Sequence, residues 1–325
     1  MSPRRATDTA RPIADDALGT VQKFHQAGAV SFHHFDIPEV REKYIASCAA
    51  NALAETEEPD CTDHDVADFQ VRVYEPRPQG SRPRPTPVVL FIHGGGWLMG
   101  DLDTHHSGAR RLAVQTGFPV VAVDYRLAPE HLYPAAADDC REALRWLSDA
   151  GAAHGITASS ISVLGDSAGG QLAAVLANEF HDDPAVAPLS SQVLLYPIVD
   201  VTHERMTEGS SYRRVTEGFP LVAGTMRWFA DTYLPEGQDR TVPDLSPLLH
   251  DLPEGLPPTL VITVDNDPLA DEGGEYAAAL ARAGCDVTYH HLRGYHHGLF
   301  TSAGAIARGE KEFARIAAFI RDTAL

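Results

Sequence analysis

The chain has 325 residues, 44% apolar, 22% charged and 8% aromatic, with 26 basic against 45 acidic side chains and a net charge of -19. This is no disordered polyelectrolyte, and a chain of this length buries roughly 70 to 75% of the surface it exposes unfolded, so no disulfide or metal staple is required. Lysine occurs only at Lys23, Lys43 and Lys311 and arginine never in a run longer than two, so there is no basic stripe for nucleic acid or an anionic membrane.

The first residues, Met1 to Leu18, carry Arg4, Arg5 and Arg11 but not the apolar core of a signal peptide. The longest apolar runs, such as Leu172 to Ala177, reach about six residues, against the ~20 a spanning helix needs. Cys48, Cys61, Cys140 and Cys285 stand far apart without a Cys-x-x-Cys pair, so they read as incidental thiols of a cytoplasmic protein.

In chain order, the predicted strands are Phe69 to Tyr74, Val88 to Ile92, Val120 to Tyr125, Ile161 to Leu164, Val193 to Tyr196, Thr259 to Val264 and Val287 to Leu292. Several are continuously apolar, as strands covered on both faces are. Helices are predicted at His105 to Thr116, Ala135 to Ala150, Ala168 to Glu179, Glu272 to Ala283 and Ile306 to Asp322. A stretch with Pro76, Pro78, Pro83, Pro85 and Pro87 reads as a loop into the core. The alternation of strand and helix predicts an α/β protein with a mostly parallel sheet.

Two regions break the rhythm: the N-terminal segment with Phe24, Phe32, Phe35 and Ile37, and the stretch from about His203 to Leu234 with Phe219, Leu221, Met226, Trp228, Phe229 and Tyr233. They are expected to pack together as a helical cap, segments 1–55 and 203–235, over a core of 56–202 and 236–325.

Gly165-Asp166-Ser167-Ala168-Gly169-Gly170 joins a predicted strand to a predicted helix. A serine on so sharp a turn needs small neighbours, and the turn aims the unpaired N–H groups of the helix N-terminus at charge developing on a substrate. His93-Gly94-Gly95-Gly96-Trp97 ends an earlier strand, and its consecutive glycines let main-chain amides converge on a substrate oxygen. Gly94, Gly95, Gly96 and Ala168 are the expected oxyanion donors. His93 reads as structural, ordering the loop through its ring.

A serine nucleophile needs an imidazole base, and the imidazole needs a carboxylate to fix its tautomer. Asp265 and Asp267 follow one strand, with Asp271 nearby, and His296 and His297 follow another, all at the sheet edge that carries Ser167. Position alone leaves open which aspartate and which histidine act. The adjacent pairs His105-His106, His290-His291 and His296-His297 lack metal-site spacing, so no metal and no cofactor are expected.

These motifs, with Asp124-Tyr125-Arg126-Leu127-Ala128-Pro129-Glu130, Asp267-Pro268-Leu269-Ala270-Asp271-Glu272-Gly273 and His297-Gly298, resemble the hormone-sensitive-lipase-like branch of the α/β-hydrolases, the bacterial carboxylesterases. The resemblance implies an α/β-hydrolase fold with a central sheet of about eight strands, and a triad of Ser167, Asp267 (the aspartate before Pro-Leu) and His297 (the histidine before glycine). Ala270 stands where that family often has arginine. Asp124, Arg126 and Glu130 are expected to form a buried charge network near the triad loops.

The implied activity is serine carboxylesterase, acting on short- to medium-chain esters through an acyl-enzyme. A pathway-specific deacetylase, an amidase or acyltransferase on the same triad, and a non-catalytic ligand-binding α/β-hydrolase are the alternatives. Trp97, Leu98 and Tyr196 are expected to contribute pocket walls with the cap. The last strand is expected at a sheet edge, where a homodimer could pair.

Overall fold

The computed structural model describes residues 10–54, 59–76, 85–149 and 151–324. Residues 1–9 and 55 of the expected cap segments, Pro78 and Pro83 of the proline-rich loop, and the expected helix end Ala150 lie outside them.

One eight-stranded sheet forms the centre: β1 (Asp60–Val66), β2 (Phe69–Glu75), β3 (Thr86–Ile92), β4 (Val120–Asp124), β5 (Ala158–Asp166), β6 (Leu189–Leu195), β7 (Thr259–Asn266) and β8 (Val287–His296). The spatial order is β1-β2-β4-β3-β5-β6-β7-β8. β1 pairs with β2 and β2 with β4 antiparallel, whereas every pairing from β4 to β8 is parallel. β8 lies at an edge, as expected.

The seven expected strands are present. β1 is not among the predicted strands because Asp-Cys-Thr-Asp-His-Asp-Val carries almost no apolar periodicity; it is an outer strand, largely exposed and paired on one side only.

Alternate residues of the buried strands feed two cores. Leu90, Ile92, Val121, Val123 and Val163 belong to one, covered by α4 (Ala135–Asp149), α5 (Ala168–Phe180) and α9 (Ala270–Arg282). Val89, Phe91, Val120, Ala122 and Leu164 belong to the other, covered by α3 (His106–Thr116) and α10 (Ala307–Thr323). Each fully buried valine or leucine contributes roughly 1.5 to 3 kcal/mol, so both faces stabilise the sheet.

The N-terminal region forms α1 (Leu18–Gln26) and α2 (Ile37–Ala50), and the later region forms α6 (His203–Glu208), α7 (Ser210–Arg214) and α8 (Ala223–Tyr233). Asp36 caps α2 by accepting the Glu39 N–H at 2.9 Å. The two regions are tied together: Phe32 N–H donates to Pro220 O, Ser31 Oγ–H to Phe219 O at 2.8 Å, and His33 Nδ1 lies 2.9 Å from Thr225 Oγ1. None of the described helices is long and apolar enough to cross a membrane.

Candidate active site

Ser167 sits between β5 and α5 at φ 56°, ψ −118°, a backbone conformation that costs an ordinary residue about 1 to 3 kcal/mol. The flanking glycines are required by space. A Cβ on Gly165 would lie 2.1 Å from Gly169 O, and one on Gly169 would lie 2.1 Å from Ile92 O. The turn is held by the Ser167 N–H donating to Leu195 O at 2.8 Å and by the Gln171 N–H donating to Ser167 O at 3.1 Å.

His297, directly after β8, donates Nδ1–H to Asp267 Oδ2 at 2.7 Å. Asp267 is fully buried, and its Oδ1 accepts the Leu269 N–H at 2.9 Å. With Nδ1 carrying the hydrogen, the neutral ring keeps its lone pair on Nε2. Asp265 and Asp271 are engaged elsewhere: Asp265 accepts from His291 Nε2, Arg11 and the Gly294 N–H, and Asp271 accepts the Ser211 N–H at 2.7 Å. His296 donates Nδ1–H to His297 O and turns Nε2 to Thr20, and burial lowers its pKa.

Of the loop after β3, Gly95 (φ 126°) and Gly96 (φ 61°) line the same cavity as Ser167 and His297. Neither tolerates a side chain, since a Cβ would lie 1.9 Å from Met99 O in the first case and 2.3 Å from the Phe229 ring in the second. Gly94 departs from expectation: its N–H donates to Asp166 Oδ1 at 2.8 Å, so it is not a free oxyanion donor. The Asp166 carboxylate beside Ser167 takes that amide. Among the described residues, the amides of Gly95, Gly96 and Ala168 have no hydrogen-bond acceptor.

His93 orders this loop as anticipated. Its Nδ1–H donates to Gly94 O at 2.8 Å, its ring stacks on Tyr125 at 4.2 Å, and Tyr125 Oη–H donates to His93 O. Burial lowers its pKa to about 4, which leaves it neutral.

The cavity over Ser167 is about 80 Å³, walled by Phe32, Tyr44 and Cys48 from one helical region and Pro220, Leu221 and Phe229 from the other. It shares Ser47, Pro220, His296 and Ser302 with an outer chamber of about 260 Å³ beneath α1. Trp97 and Leu98 are not among its walls. The positive φ of 61° at Trp97 turns the chain inward, and its ring stacks on Tyr233 at 4.6 Å while Nε1–H donates to Gln171 Oε1. Leu98 is fully buried; its carbonyl accepts from Arg41 and its N–H donates to Gly95 O. Tyr196 is also buried and stands behind the site, its ring 4.3 Å from that of His297.

Tyr44, Cys48, Met99 and Asp166 line the cavity without having been anticipated. Tyr44 and Cys48 share one face of α2 at i,i+4, but that spacing alone marks any buried helix stripe. The expected buried network of Asp124, Arg126 and Glu130 is absent. Arg126 pairs with Asp139 at 2.7 Å and Glu130 with Arg41 at the surface, around a separate cavity of about 560 Å³. Arg126 and Glu130 follow β4, which β3, β5 and β6 separate from β7 and β8 in the sheet. There burial, with Asp101 nearby, pushes the Asp124 carboxyl up to about 6.

Residues 89–301 match the family model described as alpha/beta hydrolase fold. The chain is 35% identical over 301 residues to an ethyl acetate hydrolase of Pseudomonas putida, covering 90% of this chain and 93% of that protein. It is 40% identical over 228 residues to the carboxylesterase NlhH of Mycobacterium tuberculosis, covering 68% of each. Among solved structures it is similar to an esterase of Pyrobaculum calidifontis, with TM-score 0.80, 34% identity and coverage of 96% of this chain and 99% of that one. An α/β-hydrolase from the Lake Arreo metagenome aligns with TM-score 0.85 at 31% identity, over 95% of this chain and 98% of that one. The chain belongs to the α/β-hydrolase-fold family, in its hormone-sensitive-lipase-like branch of carboxylic ester hydrolases.

Proposed function

We propose that this protein hydrolyses small carboxylic esters of short to medium acyl length through the triad Ser167, His297 and Asp267. The observation that carries the reading is the His297 Nδ1–H bond to buried Asp267, in a residue that shares its cavity with Ser167 and two glycine amides free of partners among the described residues.

Ser167 Oγ attacks the ester carbonyl carbon as His297 Nε2 takes its proton, and the carbonyl electron pair moves onto oxygen. The amides of Gly95, Gly96 and Ala168 receive that oxyanion. Loss of one such donor typically costs about 2.7 to 4 kcal/mol of transition-state stabilisation. The intermediate collapses, the bond to the alcohol oxygen breaks, and Nε2–H protonates the leaving group. Water, deprotonated by the same nitrogen, then attacks the acyl-enzyme, and Ser167 leaves with its proton restored.

The small inner cavity supports a short acyl group, in keeping with the named substrate of the Pseudomonas relative, and the outer chamber leaves room for the remainder of the ester. Residues 10–54 and 203–235 act as the cap, since their side chains roof Ser167. The reading includes a cytoplasmic setting, supported by four unpaired cysteines. It also includes a homodimer through the edge of β8, where Tyr289 is exposed. Sedimentation at only the 35.1 kDa mass would remove the dimer.

The test is hydrolysis of p-nitrophenyl acetate through decanoate by wild type and Ser167→Ala. Activity that declines with chain length, and is lost in the variant, supports the proposal. An inert wild type or a fully active variant overturns it, and fluorophosphonate labelling at another residue would overturn the nucleophile assignment.

A further inference from the structure

The glycine loop that presents Gly95 and Gly96 has no side chains of its own to hold it, and glycine is the residue that loses most conformational freedom on ordering. Downstream, the Gly95 carbonyl accepts the N–H groups of Leu98 at 3.2 Å and Met99 at 3.1 Å; upstream, the peptide units on either side of Gly94 are tied. The Gly94 carbonyl accepts Nδ1–H of His93, and the Gly94 N–H donates to Asp166 Oδ1, each at 2.8 Å. The Gly95 amide shares its peptide plane with the Gly94 carbonyl and the Gly96 amide shares its plane with the Gly95 carbonyl, so the place of both depends on Gly94 being anchored at the start of the loop.

Asp166 is 4% exposed and immediately precedes Ser167, so its backbone is part of the nucleophile turn itself. His105 Nε2 lies 3.3 Å from Oδ1 without forming a well-aligned hydrogen bond, and His105 Nδ1 is 3.0 Å from Thr104 Oγ1. Packing is equally close: a Cβ on Gly94 would fall 2.5 Å from Asp166 Oδ2. Burial by itself would raise the Asp166 pKa. The neighbouring His105, the Gly94 N–H and the more distant His297 outweigh it and hold the carboxyl below its usual range.

A buried negative charge beside a developing oxyanion works against catalysis unless it supplies something in return. What this one supplies is a charge-assisted hydrogen bond, roughly twice as strong as a neutral one, between the turn that carries the nucleophile and the loop that carries the oxyanion donors. We propose that Asp166, paired with His105, is a positioning residue that latches Gly94 to the nucleophile turn and thereby sets where the Gly95 and Gly96 amides stand relative to Ser167. The latch rests on the esterase reading above and assigns Asp166 no contact with the reacting atoms.

The test compares Asp166→Ala, Asp166→Asn and Asp166→Glu by kcat and KM on p-nitrophenyl acetate, by inhibition with an alkyl trifluoromethyl ketone, whose serine adduct bears an oxyanion, and by circular dichroism. Removing the acceptor in Asp166→Ala lowers kcat by about 10²-fold or more with little change in KM, and weakens the ketone by a similar factor. Asp166→Asn keeps an oxygen for the Gly94 N–H and stays within about tenfold of wild type.

Should the alanine variant not fold, Asp166→Glu carries the test. Its charge is unchanged, but the extra methylene displaces Gly94 and lowers both kcat and ketone affinity. A folded Ala or Glu variant that matches wild type in both overturns the latch. So does a kcat loss with unchanged ketone affinity, or an asparagine variant as impaired as the alanine one. A wild type inert toward every ester would instead overturn the esterase reading, which separates the two failures.

Discussion

His297 Nδ1 lies 2.7 Å from Asp267 Oδ2, across 30 residues of sequence. The aspartate leaves the end of β7 and the histidine follows β8, and these strands run parallel and adjacent with Asn266 opposite His296. Strand pairing therefore brings the proposed base and its carboxylate together. Asp267→Asn would present an amide N–H to Nδ1, shift the ring hydrogen to Nε2 and remove the lone pair that takes the serine proton. The expected loss in kcat is about 10⁴-fold with the fold intact. His297→Ala should be comparably inactive and His296→Ala should remain active, and steady-state kinetics on p-nitrophenyl acetate with circular dichroism check both.

Gly96→Ala is expected to lose about 10² to 10³-fold in kcat. The new methyl would meet the Phe229 ring at 2.3 Å, and φ 61° is strained for alanine. The loop must move and carry its amide away from the oxyanion. Phe229→Ala in the same chain vacates the space and should recover part of the loss. Kinetics equal to wild type in the single variant would contradict the role given to this amide.

Trp97 is a strut of the core, so its truncation should affect stability and leave specificity alone. Trp97→Phe strands Gln171 Oε1 without its indole partner and should cost about 1 to 3 kcal/mol in a urea or thermal melt, with an unaltered acyl-length profile. Leu221→Ala, which enlarges the cavity wall directly, should shift that profile toward longer esters. A profile that moves with Trp97 and not with Leu221 would reverse this assignment.

Stability should fall between pH 7 and pH 5 in part through His93. Its folded pKa of about 4 lies below the ordinary value of 6.5, so the unfolded chain binds the extra proton as pH drops through that interval. The contribution is fully present above pH 6.5 and is lost progressively toward pH 4, amounting to about 2 kcal/mol by pH 5. His93→Asn, which can still donate to Gly94 O but does not titrate, should flatten this part of the curve. Denaturant melts at the two pH values, compared between the variants, measure the difference.

The nucleophile turn was legible because its requirement is local. A strained serine between strand and helix must have glycines at Gly165 and Gly169, whatever the rest of the chain does, and β-branched runs with helix-length spacers announce a parallel sheet in the same way. β1 is not legible for the opposite reason: an exposed outer strand has one pairing edge and little burial to impress a hydrophobic period on Asp60 to Val66.

The residues by themselves determined the sheet's rhythm, the serine turn and the supply of carboxylates and imidazoles at one edge. Strand position leaves Asp265 and Asp267 equivalent, because positions two apart in an extended chain face the same way, and the resemblance to the carboxylesterases is what singles out Asp267 in the sequence. The tertiary structure supplies the physical reason, filling the first with His291, Arg11 and Gly294 and leaving the second to His297. It likewise withdrew Trp97 and Leu98 from the pocket and Gly94 from the oxyanion donors. A cavity wall or a free amide is set by what packs beside it, and here those neighbours, Tyr233 against Trp97 and Asp166 against Gly94, come from distant parts of the chain.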